Sequence, residues 1–306
     1  MKENRYNVTE EGIITRGVGG TYKVRVKGED RLCQIRGGIR HKKLTPAVGD
    51  RVRIAPSGDP DVPYVLEKIK TRKNSLVRPP LANVDNLVLV CAVKDPEPDL
   101  KLLDKMLIIC SKLSIRPLVV FTKADLDPEK ADELHKIYSK AGIDCIVSSP
   151  DNMVCKDKIT SLTGRGLTGL AGPSGAGKST ICNHLLEDEA MAVGDISERL
   201  KRGKHTTRHV ELFPFGDGYL TDTPGFTSLD LFELGVSYEE VSGGYPEIIK
   251  ASEGCRFSDC RHIAERDCAV LSGIPDEIDP GRYDRYKEFY EFLYSQRNNY
   301  TGGVRK

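Results

Sequence analysis

Polar and apolar residues alternate through the first seventy positions, the period of strands with one buried face. In "TYKVRV" the alternation puts Tyr22, Val24 and Val26 on one face and Lys23, Arg25 and Lys27 on the other. "RLCQIRG" and "GDRVRI" continue it, and "PSGDPDVP" reads as a turn-rich loop. These strands predict a small five-stranded barrel, OB-like or SH3-like, and the pattern does not separate the two. From about residue 84 the texture changes. "VDNLVLVCAV" is an unbroken apolar run, as expected of a parallel strand buried on both faces. "DLKLLDKMLIICSKL" has helical spacing, "RPLVVFTKAD" is a second buried strand, and "PEKADELHKIYSKAG" is a helix with Pro near its start and Gly at its end. "DCIVSS", "GLTGLAG" and "GYLTDTPG" add strands, so the middle of the chain reads as a doubly wound α/β domain with a mostly parallel sheet. A cysteine-rich stretch and the helical "DRYKEFYEFLYSQRNN" follow. The expected organisation is multidomain α/β: residues 1–72 a barrel, 73–235 the α/β domain, and 236–306 a small C-terminal module.

Charge adds one feature to this picture. The net charge is +1, but residues 1–80 hold 18 Lys and Arg against 9 Asp and Glu. The remainder is acidic, at 28 against 36. A basic module joined to an acidic one suggests that the barrel meets a polyanion, with simple solvation of a small β domain as the plainer reading. No apolar run approaches the roughly 18 residues of a membrane span, and the polar start "MKENRYNVTEEG" has no signal-peptide core. Nine cysteines, three of them between 255 and 268, fit reduced cytosolic thiols plus one metal site. A cytoplasmic, monomeric protein is expected.

Between the strand "GLTGLA" and the helix "KSTICNHLLE" lies "GPSGAGKST", Gly172 to Thr180, a Walker A pattern in its proper setting. The backbone N–H groups of Gly172, Pro173's neighbours Ser174, Gly175 and Ala176, and Gly177 would cradle phosphates at a helix N-terminus. Lys178 would reach the β and γ phosphates, and Ser179 would hold Mg²⁺. Asp222 in "LTDTPGF" ends a strand and suits the second Mg²⁺ position, with the Gly225 N–H placed to sense the γ-phosphate. The polar, basic "GDISERLKRGKHTTRHV" between them is a candidate switch loop in which Thr206 or Thr207 would add a Mg²⁺ hydroxyl.

Upstream stands "TKAD", Thr122-Lys123-Ala124-Asp125, at the end of a buried strand. The Asp125 carboxylate can accept hydrogen bonds from guanine N1–H and N2–H₂, which adenine does not offer in that geometry. Lys123 can lay its apolar stem over the base, and Ser148 or Ser149 would complete the pocket near O6. In ordinary GTPases the base motif follows the phosphate loop. Here it precedes it, which a circular permutation explains, because domain termini lie near each other at the surface and a fold can be cut and rejoined. The second switch segment, "DTPGFTSLDLF", then runs directly into the C-terminal module. Phe226 occupies the place where many GTPases carry a water-orienting glutamine, so slow hydrolysis by the free protein is expected. His205 in "GKHTTR" is the best internal substitute.

Cys255-x4-Cys260-x-His262-x5-Cys268 offers three thiolates and one imidazole within fourteen residues, a closed structural zinc site. Arg256, Arg261 and Arg266 around it hint at RNA contact.

The motif order, together with "CQIRGGIR", "VGDRV", "NSLVRP", "TKADL", "GPSGAGKST", "GKHTTRHV" and "DTPGF", resembles the RsgA/YjeQ family of ribosome-small-subunit-dependent GTPases across nearly the whole chain. The resemblance implies an OB-fold, a permuted GTPase domain and a zinc domain. It further implies GTP hydrolysis on the small ribosomal subunit and its rRNA late in subunit maturation, with GTP/GDP, Mg²⁺ and one Zn²⁺ bound. Thr122 stands where GTPases usually carry Asn, so weaker bracing of the base pocket is expected. Two other functions fit the residues less well: a P-loop ATPase, against which Asp125 argues, and a nucleotide-gated rRNA-binding protein whose turnover is incidental.

Overall fold

The computed structural model describes residues 9–35, 45–60, 62–77, 80–149, 155–193, 210–222 and 229–297. Packing groups the chain into two compact units. One holds Met1–Asn86, Ile159–Ala171 and Lys178–Phe226, the other Leu87–Lys158, Gly172–Gly177 and Thr227–Lys306.

In the first unit β1 (Glu10–Val18), β2 (Thr21–Val26), β3 (Glu29–Ile35), β4 (Arg51–Pro56) and β5 (Tyr64–Ile69) close a barrel in the order β1-β2-β3-β5-β4. The turns explain the first two hairpins. Gly19 and Gly20 have φ of 59° and 82°, and Lys27 and Gly28 have φ of 47° and 86°, the doubly left-handed backbone that two-residue hairpin loops require. The β3–β5 pairing is parallel, which makes the barrel a Greek key of the OB type and decides what alternation alone left open. Ile14, Val24, Cys33, Val52, Ile54 and Leu66 are wholly buried inside it. The buried Asp50 carboxylate is satisfied by the Arg72 fork, at 2.7 and 2.8 Å, and by the Ala47 N–H at 2.8 Å. A short hairpin, β6 (Ser75–Leu76) with β7 (Leu81–Ala82), follows, and the Ala82 N–H donates back to Val48 O at 2.9 Å.

The remaining strands are β8 (Asn86–Ala92), β9 (Arg116–Thr122), β10 (Cys145–Val147), β11 (Arg165–Ala171), β12 (Phe213–Phe215) and β13 (Asp217–Asp222). They form a six-stranded sheet in the order β10-β9-β8-β11-β13-β12. β10 with β9 and β11 with β13 are parallel, whereas β12 pairs antiparallel with β13. The sheet is therefore mixed. Every residue of β8 is buried, as its apolar run requires.

Helices α1 (Leu100–Lys112), α2 (Pro128–Lys140), α3 (Cys155–Thr163) and α4 (Lys178–Val193) alternate with these strands. The C-terminal part holds α5 (Pro246–Ser252), α6 (Ala269–Ser272) and the long α7 (Pro280–Gln296). Three helices start at an aspartate whose carboxylate accepts an N–H of the first turn: Asp99 from Leu102, Asp127 from Lys130, and Asp279 from Arg282. In α2 and α7 a proline follows the cap, pre-set for helical φ.

A buried charge cluster fastens α7 to α1 within the second unit. Asp104 on α1 and Arg282 on α7 are both fully buried. Arg282 Nη1 donates to Asp104 Oδ1 at 2.6 Å, and its Nε donates to Glu247 Oε1 at 2.5 Å. Arg285 Nε and the Tyr138 hydroxyl also donate to Asp104, at 2.5 and 2.9 Å. The Tyr138 and Tyr245 rings cover the Arg282 guanidinium at 4.8 and 4.6 Å. Charges buried like this are tolerated when their polar atoms are paired, as they are between α7 and α1 here.

Candidate functional site

The phosphate loop follows β11 and precedes α4 without a gap. Gly172 has φ of 149°, and a Cβ there would meet the Val90 carbonyl oxygen at 2.2 Å, so only glycine fits. Gly175 and Gly177 are left-handed too, at φ of 78° and 95°. These positive φ values turn successive N–H groups inward, as an anion cradle requires.

The turn Thr122–Asp125 packs against this loop inside the second unit. Thr122, at the end of β9, is buried and donates its hydroxyl to Ala176 O at 2.7 Å, with a longer contact of 3.5 Å to Cys91 O. Where GTPases usually carry an asparagine amide, a hydroxyl hydrogen-bonds the loop backbone, and the short Thr side chain reaches because the Ala176 carbonyl comes close to the strand end. Lys123 is left-handed at φ of 58°, and its ammonium hydrogen-bonds Asp95 O. Ala124 N–H donates to Ser148 O at 3.2 Å, and Ser148 N–H donates to Phe121 O at 2.8 Å. Ser148 is buried and Ser149 half-buried, while Asp125 is exposed. Thr122, Lys123, Ala124, Asp125, Ser148 and Gly172 to Gly177 are thereby gathered in one compact body.

In the first unit Ser179 Oγ donates to Asp222 Oδ2 at 3.3 Å. Asp222 Oδ1 is buried with no hydrogen-bond partner among the described residues. Burial pushes the Asp222 carboxyl above the ordinary carboxylate range, countered in part by the Lys178 ammonium and the Ser179 hydroxyl. Burial likewise holds the Lys178 ammonium below the usual lysine value, against the pull of Asp222. Partial burial that disfavours bare charge of either sign suits a ligand that brings both. Neighbouring oxygens around an octahedral Mg²⁺ lie about 2.9 Å apart when each is about 2.0–2.1 Å from the ion. The Ser179 and Asp222 oxygens, one of them orphaned, fit that cation. Thr180 is exposed beside them. His205, Thr206, Thr207 and Gly225 lie outside the described residues.

The cysteine-rich segment closes on itself. Cys255 Sγ is 3.6 Å and Cys268 Sγ 3.5 Å from His262 Nδ1, the two sulfurs are 3.9 Å apart, and Cys260 completes a group whose ligand atoms all lie within 4.8 Å. A tetrahedral zinc with about 2.3 Å Zn–S and about 2.0–2.1 Å Zn–N bonds has edges of about 3.5–3.8 Å, so the donors fit the ion. The Tyr283 and Tyr286 hydroxyls of α7 donate to His262 O and Arg261 O, at 2.8 and 3.2 Å. Burial opposes the charge on Glu265, but the N–H groups of Arg261, Ile263 and Ala264 hold its carboxyl down to about 2. That permanent carboxylate pins the loop between the second and fourth ligands. Sequence reasoning passed over Glu265 and the α7 tyrosines. Only the short distance from Glu265 to His262 along the chain hinted at the first.

Removing the Thr122 hydroxyl leaves the Ala176 carbonyl unpaired in a buried place, a cost of about 1–3 kcal/mol. Thr122→Val is expected to weaken GDP and GTP affinity about tenfold, and Thr122→Ser to keep it. Titration with a fluorescent GDP analogue checks this, and an unchanged affinity in Thr122→Val contradicts it.

Comparison with known proteins agrees with this geometry. The family model described as RsgA GTPase matches residues 69–232, and that of the RsgA N-terminal domain matches residues 11–61. The "Small ribosomal subunit biogenesis GTPase RsgA" of Ruminiclostridium cellulolyticum is 42% identical over 288 residues, covering 92% of this chain and 93% of that protein. Its namesake from Clostridium novyi is 42% identical over 295 residues, covering 95% and 100%. Among solved structures, YloQ, titled a circularly permuted GTPase, matches with a TM-score of 0.77 at 31% identity over 97% of this chain and 99% of that one. YjeQ from Thermotoga maritima matches at 0.75 and 30% identity over 95% and 100%. With its base motif ahead of its phosphate loop and a barrel ahead of both, the chain belongs to the RsgA family of circularly permuted GTPases.

Proposed function

We propose that this GTPase works on the small ribosomal subunit, hydrolysing GTP to GDP and phosphate when docked there late in subunit maturation. The observation that carries the reading is the Thr122 hydroxyl on Ala176 O, which sets a guanine-reading turn against a phosphate loop. The names of its relatives supply the ribosomal context.

In this reading Asp125 accepts the guanine N1–H and N2–H₂, Lys123 lies along the base, and Ser148 or Ser149 borders O6. The backbone of Gly172, Pro173, Ser174, Gly175, Ala176 and Gly177 faces the phosphates, and Lys178 reaches the β and γ oxygens. Ser179 and Asp222 hold Mg²⁺, with Thr206 or Thr207 as a further ligand and Gly225 near the γ-phosphate. When bound, Mg²⁺ neutralises charge that develops on the β–γ bridge. His205 orients the attacking water where Phe226 cannot.

Residues 1–72 then serve as the RNA-binding barrel, 73–235 as the GTPase domain, and 236–306 as a module folded around one structural Zn²⁺ held by Cys255, Cys260, His262 and Cys268. Loss of the γ-phosphate reaches that module along the chain. Lys105 Nζ grips Leu229 O at 3.1 Å and sits 5.7 Å from the Phe289 ring of α7, so the segment that follows the second switch is held to the helix that seats the zinc loop.

Steady-state GTP hydrolysis is expected to be slow alone and to rise at least tenfold with purified small subunits, but not with large subunits or free RNA. His205→Ala should lose that stimulation while retaining GDP binding. Wild-type turnover by His205→Ala on small subunits removes the histidine from the mechanism. For the metal, the purified chain should carry one zinc per molecule by elemental analysis. Cys255→Ser should lose it together with thermal stability, and a metal-free wild type of unchanged stability contradicts the zinc reading.

A further inference from the structure

The excess of positive charge in the first eighty residues is not spread over the barrel. On the β2–β3 hairpin, Lys23 and Arg25 share Asp30 at 2.5 Å each, and Arg31 pairs with Glu29 at 2.7 Å and Glu10 at 3.5 Å. Arg16 faces Glu211 at 3.6 Å, Arg72 is locked on Asp50 at 2.7 Å, and Lys73 pairs with Asp85. On the outer face of β2 and its turn, Lys23 and Arg25 thus share one carboxylate, while Lys27 is exposed.

Among the described residues, the largest group of cations outside these pairs lies on β4 and at the end of β5, with Lys27 exposed in the β2–β3 turn. Val52 and Ile54 on β4 are wholly buried, so Arg51 and Arg53 face outward. Lys68, opposite Arg53, shares that face because the ladder shifts register between Arg53 and Ile54, and Lys70 follows the end of β5. Arg53 lies directly opposite Lys68, and the Lys70 N–H donates to Arg51 O at 2.8 Å, which sets those two residues side by side. Like charges placed directly opposite each other on a sheet destabilise it. Two such pairs stand next to each other here. One carboxylate relieves them: Glu11, opposite Arg53 on β1, pairs with Lys70 at 2.5 Å. Arg51, Arg53 and Lys68 have no ion-pair partner among the described residues.

We propose that this β4–β5 face is the surface by which the barrel grips the sugar–phosphate backbone of RNA, reading charge and not sequence. The inference rests on the small-subunit reading above and names the surface that serves it. Rows of cations about 7 Å apart along a strand and about 5 Å apart across it can engage successive phosphates. Neither strand carries an exposed large hydrophobic side chain among the described residues. Such side chains would be needed to stack bases or to anchor a protein partner. What the face offers is charge alone.

The test uses the full chain with Arg51→Gln, Arg53→Gln, Lys68→Gln and Lys70→Gln combined, beside a control with Lys23→Gln and Arg25→Gln. Basal GTP hydrolysis is expected to be unchanged in both, which certifies the fold. Binding to protein-free small-subunit ribosomal RNA is measured between about 50 and 200 mM salt. The fourfold variant is expected to bind at least tenfold more weakly at the low end. The slope of log affinity on log salt should shrink by about 2–3, at about 0.7–0.9 per lost phosphate contact. The control should match wild type. A fourfold variant with wild-type slope overturns the assignment of this face, as does one that keeps RNA binding and loses only intact subunits, since the face would then meet protein. A wild-type chain that binds neither RNA nor subunits overturns the ribosomal reading itself.

Discussion

One buried hydrogen bond, from the Thr122 hydroxyl to Ala176 O at 2.7 Å, joins two motifs that the chain writes 54 positions apart and in reversed order. Everything proposed for the nucleotide depends on it. Ligands of open α/β sheets bind at the carboxyl ends of the strands, and Thr122 and Gly172 both stand just there, at the ends of β9 and β11. A permuted chain therefore keeps the chemistry and changes only what is attached to it.

What is attached is the C-terminal module. In the second unit the Asp104–Arg282 pair, closed by Glu247, Arg285 and two tyrosine rings, seats α7 on α1. Burying such charges gives little net stability. It gives instead a fixed geometry, and α7 passes that geometry on through the Tyr283 and Tyr286 hydroxyls that hold the backbone around His262. The same helix face meets Lys105, which also holds Leu229 O. Lys105 on α1, Leu229 and the loop around His262 are thus joined through α7 within the second unit.

Much of this was legible in the chain because it is local. The alternation in "TYKVRV" became the buried pattern of β2, the apolar run became the fully buried β8, and the Asp–Pro pairs at 127–128 and 279–280 became helix starts. What was not legible depends on partners far along the chain. The parallel β3–β5 ladder that makes the barrel OB-like is such a contact, and so is the Arg282–Asp104 pair, 178 positions apart. The two-residue strands β6 and β7 and the three-residue β12 are too short to show a period. Helix α5 was hidden in a stretch read as loop, although Pro246 at its first turn marked it. The basic excess of the barrel was visible as a sum. The sharing of Asp30 by Lys23 and Arg25, and the facing of Arg53 and Lys68 across β4–β5, required the fold.

The central claim is that Asp125 and the phosphate loop hold one guanine nucleotide, and exchanging hydrogen-bond donors tests it most directly. Xanthine presents a carbonyl where guanine presents its N2 amine. Asp125→Asn, which offers an amide donor there, should therefore reverse the preference. Equilibrium competition against labelled GDP should show wild type binding GTP at least tenfold better than xanthosine triphosphate or ATP, and Asp125→Asn preferring xanthosine triphosphate. Equal competition by ATP in wild type, or an Asp125→Asn protein that still prefers GTP, would contradict the claim.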